Sequence, residues 1–177
     1  IFCLSGRGNR PGNYELPLGT PFRKLIEELG GGISGGKALK AILPAGASAP
    51  LLPASALDLP MDWESVAAAG SILGSASVIV LDETVDMLWA THKMTRFFKH
   101  ESCGKCAPCR EGTHWLVKEV ERIRAGQGQP QDIDLLLDIT RQMSGKCFCP
   151  LGDFATSSVT SSIKLFRGEY EAMVNGR

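Results

Sequence analysis

The sequence lacks an excess of charge, a long apolar run and an export signal. Its 177 residues include 19 basic and 19 acidic side chains. This balance argues against nucleic acid as a main partner, because binding to phosphates requires a basic excess or a basic stripe. No apolar run approaches the roughly 18 residues that a membrane span needs. No basic segment with a small-residue cleavage site begins the chain, so we expect neither direct membrane insertion nor a signal peptide.

The sequence also lacks complete motifs for hydrolysis and for nucleotide binding. No G-x-S-x-G elbow indicates a hydrolase. Residues 31–37 fit the first seven positions of a P-loop, but Ala38 stands where Ser or Thr would bind magnesium, and the segment follows a predicted helix instead of a strand. Residues 6–8 begin a dinucleotide fingerprint whose third glycine is missing from its expected place. We therefore interpret both segments as loops.

The chain begins unlike a native protein. Position 1 is Ile1 rather than Met, and apolar residues follow it directly. We therefore expect the carboxyl-terminal piece of a longer protein, with part of the function in residues that precede Ile1. The composition is otherwise that of a folded protein, with 44% apolar residues.

Residues 1–83 predict a small α+β domain. Apolar and alternating stretches indicate strands at 1–5, 13–17, 39–44 and 78–81. A helix is predicted at 21–29, because Phe22, Leu25 and Leu29 recur at helical spacing before a run of three glycines. Residues 45–59 are rich in Ala, Pro, Ser and Leu, which favours a surface loop. We expect a compact sheet with one covering helix.

Residues 84–177 predict helices only. Apolar residues at helical spacing indicate helices at 85–99, 110–125, 132–143 and 154–174. The predicted inner faces include Trp89 and Phe97 in the first helix and Phe166 in the last. Four helices of this length suggest a four-helix bundle with the cysteine loops at one end.

Five of the six cysteines lie between positions 103 and 149, and their spacing indicates a metal site. Cys103, Cys106 and Cys109 stand at every third position, and Cys147 and Cys149 follow later in the chain. Thiols this close in one loop converge on a point instead of forming disulfides. Three cysteines in C-x2-C-x2-C with a remote Cys-Pro are typical of a 4Fe-4S cluster, whereas a zinc site commonly uses two C-x2-C pairs. Spacing favours iron and sulfide over zinc.

The residues alone leave the fourth ligand open. Cys147 and Cys149 both compete for it, and because one residue separates them, we expect only one to reach the metal. Cys3 lies in a predicted strand, where we interpret it as a small core residue. Three nearby basic side chains either stabilise the negative charge of a cluster or are simply solvated: Lys105, Arg110 and Lys146. His100 and His114 flank the cysteine loop and either donate a hydrogen bond to a cluster sulfur, which would raise its potential, or are partly exposed helix residues.

Several segments of the chain resemble a known family. Residues 100–113 read HESCGKCAPCREGT and residues 148–153 read FCPLGD. They are similar to the cluster-binding region of the NADH-binding flavoprotein subunit of respiratory complex I. Related subunits of NAD-reducing hydrogenases and NAD-dependent formate dehydrogenases have the same region. Residues 2–6, 10–17 and 43–46, which read FCLSG, RPGNYELP and LPAG, resemble the soluble-ligand-binding β-grasp module of these subunits.

This resemblance implies a fold and a ligand set. The fold would be a small ubiquitin-like β-grasp domain at 1–83, followed at 84–177 by an all-α four-helix bundle carrying a 4Fe-4S cluster. The cluster ligands would be Cys103, Cys106, Cys109 and Cys149, and Cys147 would be a spare thiol. The amino-terminal domain that binds FMN and NADH in the family would be absent from this chain, which would leave it without a hydride-transfer site.

The resemblance also implies a role in electron transport. The cluster would relay single electrons from FMN, reduced by NADH, to other peripheral-arm subunits, especially the 2Fe-2S subunit and the large iron–sulfur subunit. The chain would then be part of an enzyme, an NADH:quinone oxidoreductase of the respiratory chain. It would be cytoplasmic and peripheral at the cytoplasmic face of the inner membrane. The alternatives are a diaphorase subunit of a hydrogenase or formate dehydrogenase, and a zinc-stapled interaction domain without redox function.

Overall fold

The computed structural model describes residues 1–176 and has a mixed α/β fold with a small sheet and several helices. By its internal contacts the chain divides into two units, Ile1–Val85 and Asp86–Arg177. None of the helices in the described part of the chain has the length and apolar character that a membrane crossing needs.

The first unit contains a five-stranded sheet within the described residues. The strands are β1 (Phe2–Gly6), β2 (Gly12–Tyr14), β3 (Leu39–Ala47), β4 (Leu52–Pro53) and β5 (Ser77–Asp82). Their order is β2-β1-β5-β3-β4. The pair β1/β5 is parallel, with Leu4 opposite Val78, and the other pairs are antiparallel.

Alternation along β1 decides which side chains enter the core. Phe2 and Leu4 are buried, whereas Cys3, on the opposite face of the strand, is only half-buried. The interpretation of Cys3 as a core residue is therefore wrong, because neighbouring residues of a strand point to opposite faces. The predicted strand at 13–17 is also shorter than expected and ends at Tyr14.

The predicted helix at 21–29 is a π-helix, Lys24–Leu29, with Leu25 and Ile26 buried against the sheet. The helix ends at Gly30, whose N–H donates to the carbonyl of Leu25. A Cβ at Gly30 would lie 2.4 Å from the side chain of Leu4. The glycine therefore permits the close approach of this helix to β1.

The prediction of a surface loop at 45–59 is wrong. β3 continues to Ala47, Leu52 pairs with Ile42 as part of β4, and a 3-10 helix spans Ala54–Asp58. Leu51 and Leu52 are buried. This segment has no regular apolar period, so only its pairing with β3 reveals its structure. A short helix, α1 (Trp63–Ala68), was not predicted, although Asp62 caps it by accepting a hydrogen bond from the Ser65 amide.

Helices joined by loops are the regular secondary structure of the second unit in its described residues, which contain no strand, as predicted. Its helices are α2 (Met87–Glu101), α3 (Ala107–Arg124), α4 (Pro130–Met143) and α5 (Leu151–Val174). α2 packs against α3 and α5, and α4 packs against the same two helices. Each boundary lies within three residues of its predicted position, and α3 and α5 begin three residues early. In α3 the early start arises because Pro108 is tolerated in the first turn, where its missing N–H has no intrahelical partner.

The inner faces of these helices differ from prediction at three aromatic residues. The exposed fractions of Trp89 and Phe97 are 42% and 50%, so neither belongs to the core. Phe166 is half-buried and departs from helical geometry, with φ −133° and ψ 30°. The apolar period shows that a buried face exists but not how wide it is, so residues at the edge of the predicted face, such as Trp89 and Phe97, remain exposed.

Candidate metal centre

The cysteines of the second unit lie in two loops that each lead into a helix. Cys103 lies between α2 and α3, Cys106 is the residue before α3, and Cys109 lies in the first turn of α3. Cys147 and Cys149 lie between α4 and α5, with Pro150 at the start of α5. The side chain of Cys109 is buried, Cys106 and Cys147 are half-buried, and Cys103 and Cys149 are exposed.

The structure brings these two loops together. The backbone N–H of Phe148 donates a hydrogen bond to Sγ of Cys106 at 3.2 Å, across 42 positions of sequence. Gly152, in the first turn of α5, presses against the same region: a Cβ there would lie 2.3 Å from Sγ of Cys147 and 3.7 Å from Cβ of Cys109. Both loops thus contribute thiols to one end of the helical unit.

Polar contacts hold the first loop in shape. Ser102 Oγ lies 3.3 Å from Sγ of Cys109 and accepts a hydrogen bond from the Gly104 amide. Gly104 has φ +78°, a left-handed conformation that favours glycine. The guanidinium of Arg110 donates to the Gly104 carbonyl at 2.7 Å. Sequence reasoning did not identify Ser102 or the Phe148 amide as part of the site, although both residues are neighbours of the cysteine motifs.

Three of the thiols lie at the amino termini of two helices, whereas the nearby cationic side chains contact other groups. Cys106 and Cys109 lie at the amino terminus of α3 and Cys149 lies at that of α5, where unpaired N–H groups favour negative charge. Lys105 lies over the Phe148 ring at 5.2 Å, and Lys146 donates to Gln142. Arg110, besides its bond to Gly104, pairs with Glu111.

The two histidines near the cysteines do not contact the thiols. Within residues 1–176, neither His100 nor His114 makes a hydrogen bond to a cysteine sulfur. Both instead line the cavities described below. Burial raises the pKa of the Cys147 thiol, and the nearby thiols of Cys109 and Cys106 act in the same direction.

The donor set fits a thiolate-ligated metal group, but the side chains are not closed around one. Among residues 1–176, no three Cys, His, Asp or Glu side chains are grouped closely enough to hold a metal ion as they stand. Cys103 and Cys149 are exposed and lie in loops, whereas Cys109 is buried in the first turn of α3.

The site and fold define a class of iron–sulfur protein. Residues 89–173 match the family described as the NADH-ubiquinone oxidoreductase-F iron-sulfur binding region. Residues 1–48 match the SLBB domain. This agreement covers both cysteine loops and most of the helical unit.

Proteins that are similar to the whole chain identify the family more narrowly. The chain is 52% identical over 176 residues to the NADH-quinone oxidoreductase F subunit of Mycobacterium tuberculosis, covering 99% of this chain and 39% of the relative. It is 48% identical over 177 residues to the F subunit of Streptomyces coelicolor, covering 100% of this chain and 39% of the relative. The chain belongs to the family of NADH-quinone oxidoreductase F subunits, and it spans about two fifths of the length of these relatives.

A solved structure shows the same fold. The crystal structure of an NAD+-reducing NiFe-hydrogenase in the H2-reduced state matches with a TM-score of 0.87 and 32% sequence identity. The match covers 99% of this chain and 29% of the hydrogenase chain. The resemblance stated from the sequence is confirmed, including its extension to hydrogenase subunits.

Proposed function

We propose that the chain holds a 4Fe-4S cluster on Cys103, Cys106, Cys109 and Cys149. The observation that carries the proposal is the hydrogen bond from the Phe148 amide to Sγ of Cys106, which joins the three-cysteine loop to the loop that contains Cys149. Amide donors to cysteine sulfur are a means by which proteins tune iron–sulfur clusters. The match of residues 89–173 to an iron–sulfur binding region supports the same metal group.

Cys149 is the fourth ligand in this proposal, for two reasons. It stands in the FCPLGD segment that resembles the family motif. Its exposed thiol is also free to turn, whereas Sγ of Cys147 lies 3.6 Å from the carbonyl of Met143 and against Gly152. Cys147 is then a packing residue beside the site.

The surroundings would stabilise the charge that a cluster brings. Four thiolates on an oxidised cubane leave a net charge of about −2. Cys106 and Cys109 lie at the amino terminus of α3 and Cys149 lies at that of α5, where the helix dipole favours negative charge, and the Phe148 amide donates to Sγ of Cys106. Ser102 and Arg110 keep the first loop in place.

The proposed role is the relay of single electrons. A bound 4Fe-4S cluster exchanges one electron at a time. In the whole protein the electrons would come from FMN reduced by NADH, in a domain outside this chain, and would pass to iron–sulfur partner subunits, the 2Fe-2S subunit and the large iron–sulfur subunit. The assembly would be an NADH:quinone oxidoreductase, with this subunit peripheral at the cytoplasmic face of the inner membrane. Rigid helices suit this role because the distance to a donor must stay constant.

The first unit would be a β-grasp domain over residues 1–83, and residues 84–177 would be a four-helix iron–sulfur domain. The strand order β2-β1-β5-β3-β4 with a parallel β1/β5 pair supports the first assignment. The match of residues 1–48 to the SLBB domain supports it as well. The pairwise packing of α2 to α5 supports the second.

A second candidate is the diaphorase subunit of an NAD-reducing hydrogenase. The structural likeness to the NiFe-hydrogenase chain, at a TM-score of 0.87, favours it. The two candidates share the cluster and differ in partners. The higher sequence identity to the Mycobacterium tuberculosis oxidoreductase, 52% against 32% for the hydrogenase, supports the oxidoreductase.

Metal analysis with electron paramagnetic resonance tests the proposal. The full-length subunit, purified without oxygen, is expected to contain about four irons per cluster and to develop a fast-relaxing signal on reduction with dithionite. Cys149→Ser should lose or convert the cluster, and the matched control Cys147→Ser should retain it. Zinc without iron would refute the electron-transfer role, and equal loss in both variants would refute Cys149 as the fourth ligand.

A further inference from the structure

α2 and α3 enclose a charged groove on the surface of the second unit. We name it the α2–α3 groove and define it by the residues that line a cavity of about 640 Å³: Arg96, Lys99, His100, Val117 and Glu121. Its cationic side chains come from α2 and its apolar floor, Val117, from α3.

The cations of the groove are not paired with any described residue. Among residues 1–176, the side chains of Arg96 and Lys99 make no hydrogen bond and no ion pair within 4 Å. The hydrogen bond with His92 is the main cause that lowers the pKa of Glu121, and Arg96 and Lys99 add to it only by their field at a distance. Two positive charges therefore stand in a concave surface without a carboxylate against either.

The acidic residue of the groove is already engaged. His92 Nε2 lies 2.9 Å from Oε1 of Glu121, and the guanidinium of Arg124 lies 2.9 Å from Nδ1 of the same ring. Arginine only donates, so Nδ1 accepts and the ring proton lies on Nε2, which donates to Glu121. Glu121 is thus held by a ring that Arg124 holds in turn, and it makes no ion pair within 4 Å with Arg96 or Lys99.

The groove continues toward the cysteine loop. A second cavity, of about 310 Å³, shares Lys99 and is lined also by Ser102, Arg110, Glu111 and His114. Ser102 contacts Cys109, one of the proposed cluster ligands. A macromolecule bound along the groove would therefore reach the immediate surroundings of the cluster.

An exposed tryptophan extends the same surface. Trp89 lies seven residues before Arg96, two turns earlier on the same face of α2, and 42% of it is exposed. Lys93 lies over its ring at 5.5 Å. Trp and Arg are among the residues most enriched at the positions that dominate binding energies in protein interfaces.

We propose that the α2–α3 groove, together with Trp89, is the docking surface for an acidic segment of a partner protein. Asp or Glu side chains of the partner would pair with Arg96 and Lys99, and its apolar side chains would cover Trp89. The partner's role, exchange of electrons with the cluster, rests on the function proposed above. The occupant is a protein with carboxylates because the surface combines unpaired cations with an aromatic anchor.

Zero-length cross-linking of the purified oxidoreductase assembly, with the full-length subunit in place, tests the groove. A carbodiimide joins an amine to a carboxylate only where the two are in contact. We expect an amide between Nζ of Lys99 and an Asp or Glu of another subunit, identified by mass spectrometry. Linkage of Lys99 only to its own subunit, or no linkage while Lys118, which is not among the residues that line the groove, reacts with a partner, would overturn the proposal.

Charge removal gives a second readout. Arg96→Gln/Lys99→Gln should weaken partner association by about tenfold and reduce its dependence on salt. The control Lys118→Gln/Lys164→Gln removes the same charge from exposed positions of the same unit and should leave both unchanged. Equal weakening by both pairs would indicate a general effect of net charge and refute the groove.

Iron analysis of the same samples separates the two proposals. A Lys99 cross-link with iron present supports both the groove and the cluster. A cross-link without iron supports the groove and refutes the cluster, and iron without the cross-link refutes the groove alone.

Discussion

Replacement of Gly112 by Ala should destabilise the helical unit, although alanine is the better helix former. Gly112 lies in α3, three residues after Cys109, where α3 meets the end of α4. A Cβ at this position would lie 2.4 Å from both Cγ and Sδ of Met143 and 3.3 Å from its Cε. Met143 is 1% exposed, so its side chain has little space into which to move.

Helix propensity and packing make opposing contributions to the free energy of unfolding of Gly112→Ala, and their sizes can be compared. Gly→Ala in a helix interior stabilises by about 1 kcal/mol. Inserting a methyl group into a packed core destabilises by about 1–3 kcal/mol. Because the contact involves Cγ as well as the flexible end of Met143, we place the packing penalty at the upper part of this range, which leaves a net loss of about 1–2 kcal/mol. For a unit of this size, each kcal/mol lowers the melting temperature by about 4–8 °C.

Gly168→Ala provides the matched control. Gly168 lies in α5, is exposed, and has no atom within 4 Å of an added Cβ. The same substitution there should stabilise by about 0.4–1 kcal/mol. Thermal and urea unfolding, followed by circular dichroism, measure the difference between the two variants, which isolates the packing term.

The same pair of variants bears on the metal site. Cys109 precedes Gly112 in α3, and Met143 precedes the loop that contains Cys147 and Cys149. Displacing Met143 should therefore separate the two cysteine loops and lower the iron content of Gly112→Ala relative to Gly168→Ala. If Gly112→Ala proves as stable as the control, the close packing of α3 on α4 is refuted.

Two further predictions concern the interior of the helical unit and the start of α2. Tyr170 is fully buried, its hydroxyl lies 2.9 Å from Thr91 Oγ1 and 2.8 Å from Ser162 Oγ, and burial raises its pKa to about 12. The folded state therefore holds this proton more tightly, so unfolding experiments should show stability lost as the pH rises from about 10 to 12, a loss that Tyr170→Phe removes. At neutral pH Tyr170→Phe should lower the free energy of unfolding by about 1–2 kcal/mol, and an unchanged value would refute the hydroxyl network. Asp86→Ala removes the acceptor for the Trp89 amide, 2.8 Å away, and should lower the urea midpoint by an amount corresponding to about 1 kcal/mol; Asp86→Asn, which keeps the cap, should not.

The local pattern of apolar residues was sufficient to predict the helices of the second unit, but it was insufficient to predict every strand of the sheet. The helices α2 to α5 follow from an apolar period that each segment carries in itself. β4 is two residues long and exists because Leu52 pairs with Ile42 of β3. No local pattern reveals such a strand, since its hydrogen bonds belong to another segment.

The sequence by itself determined the chemistry of the candidate site: thiols at every third position, a remote Cys-Pro, and a motif shared with the iron–sulfur binding region of its family. Only the tertiary structure decided that the two loops meet at Cys106 and Phe148, and that Arg96 and Lys99 line one groove without an ion pair to any residue among 1–176. The physical reason is that ligand type and spacing are properties of the covalent chain. The meeting of distant loops depends on how α3 packs on α4, at contacts such as that of Gly112 with Met143.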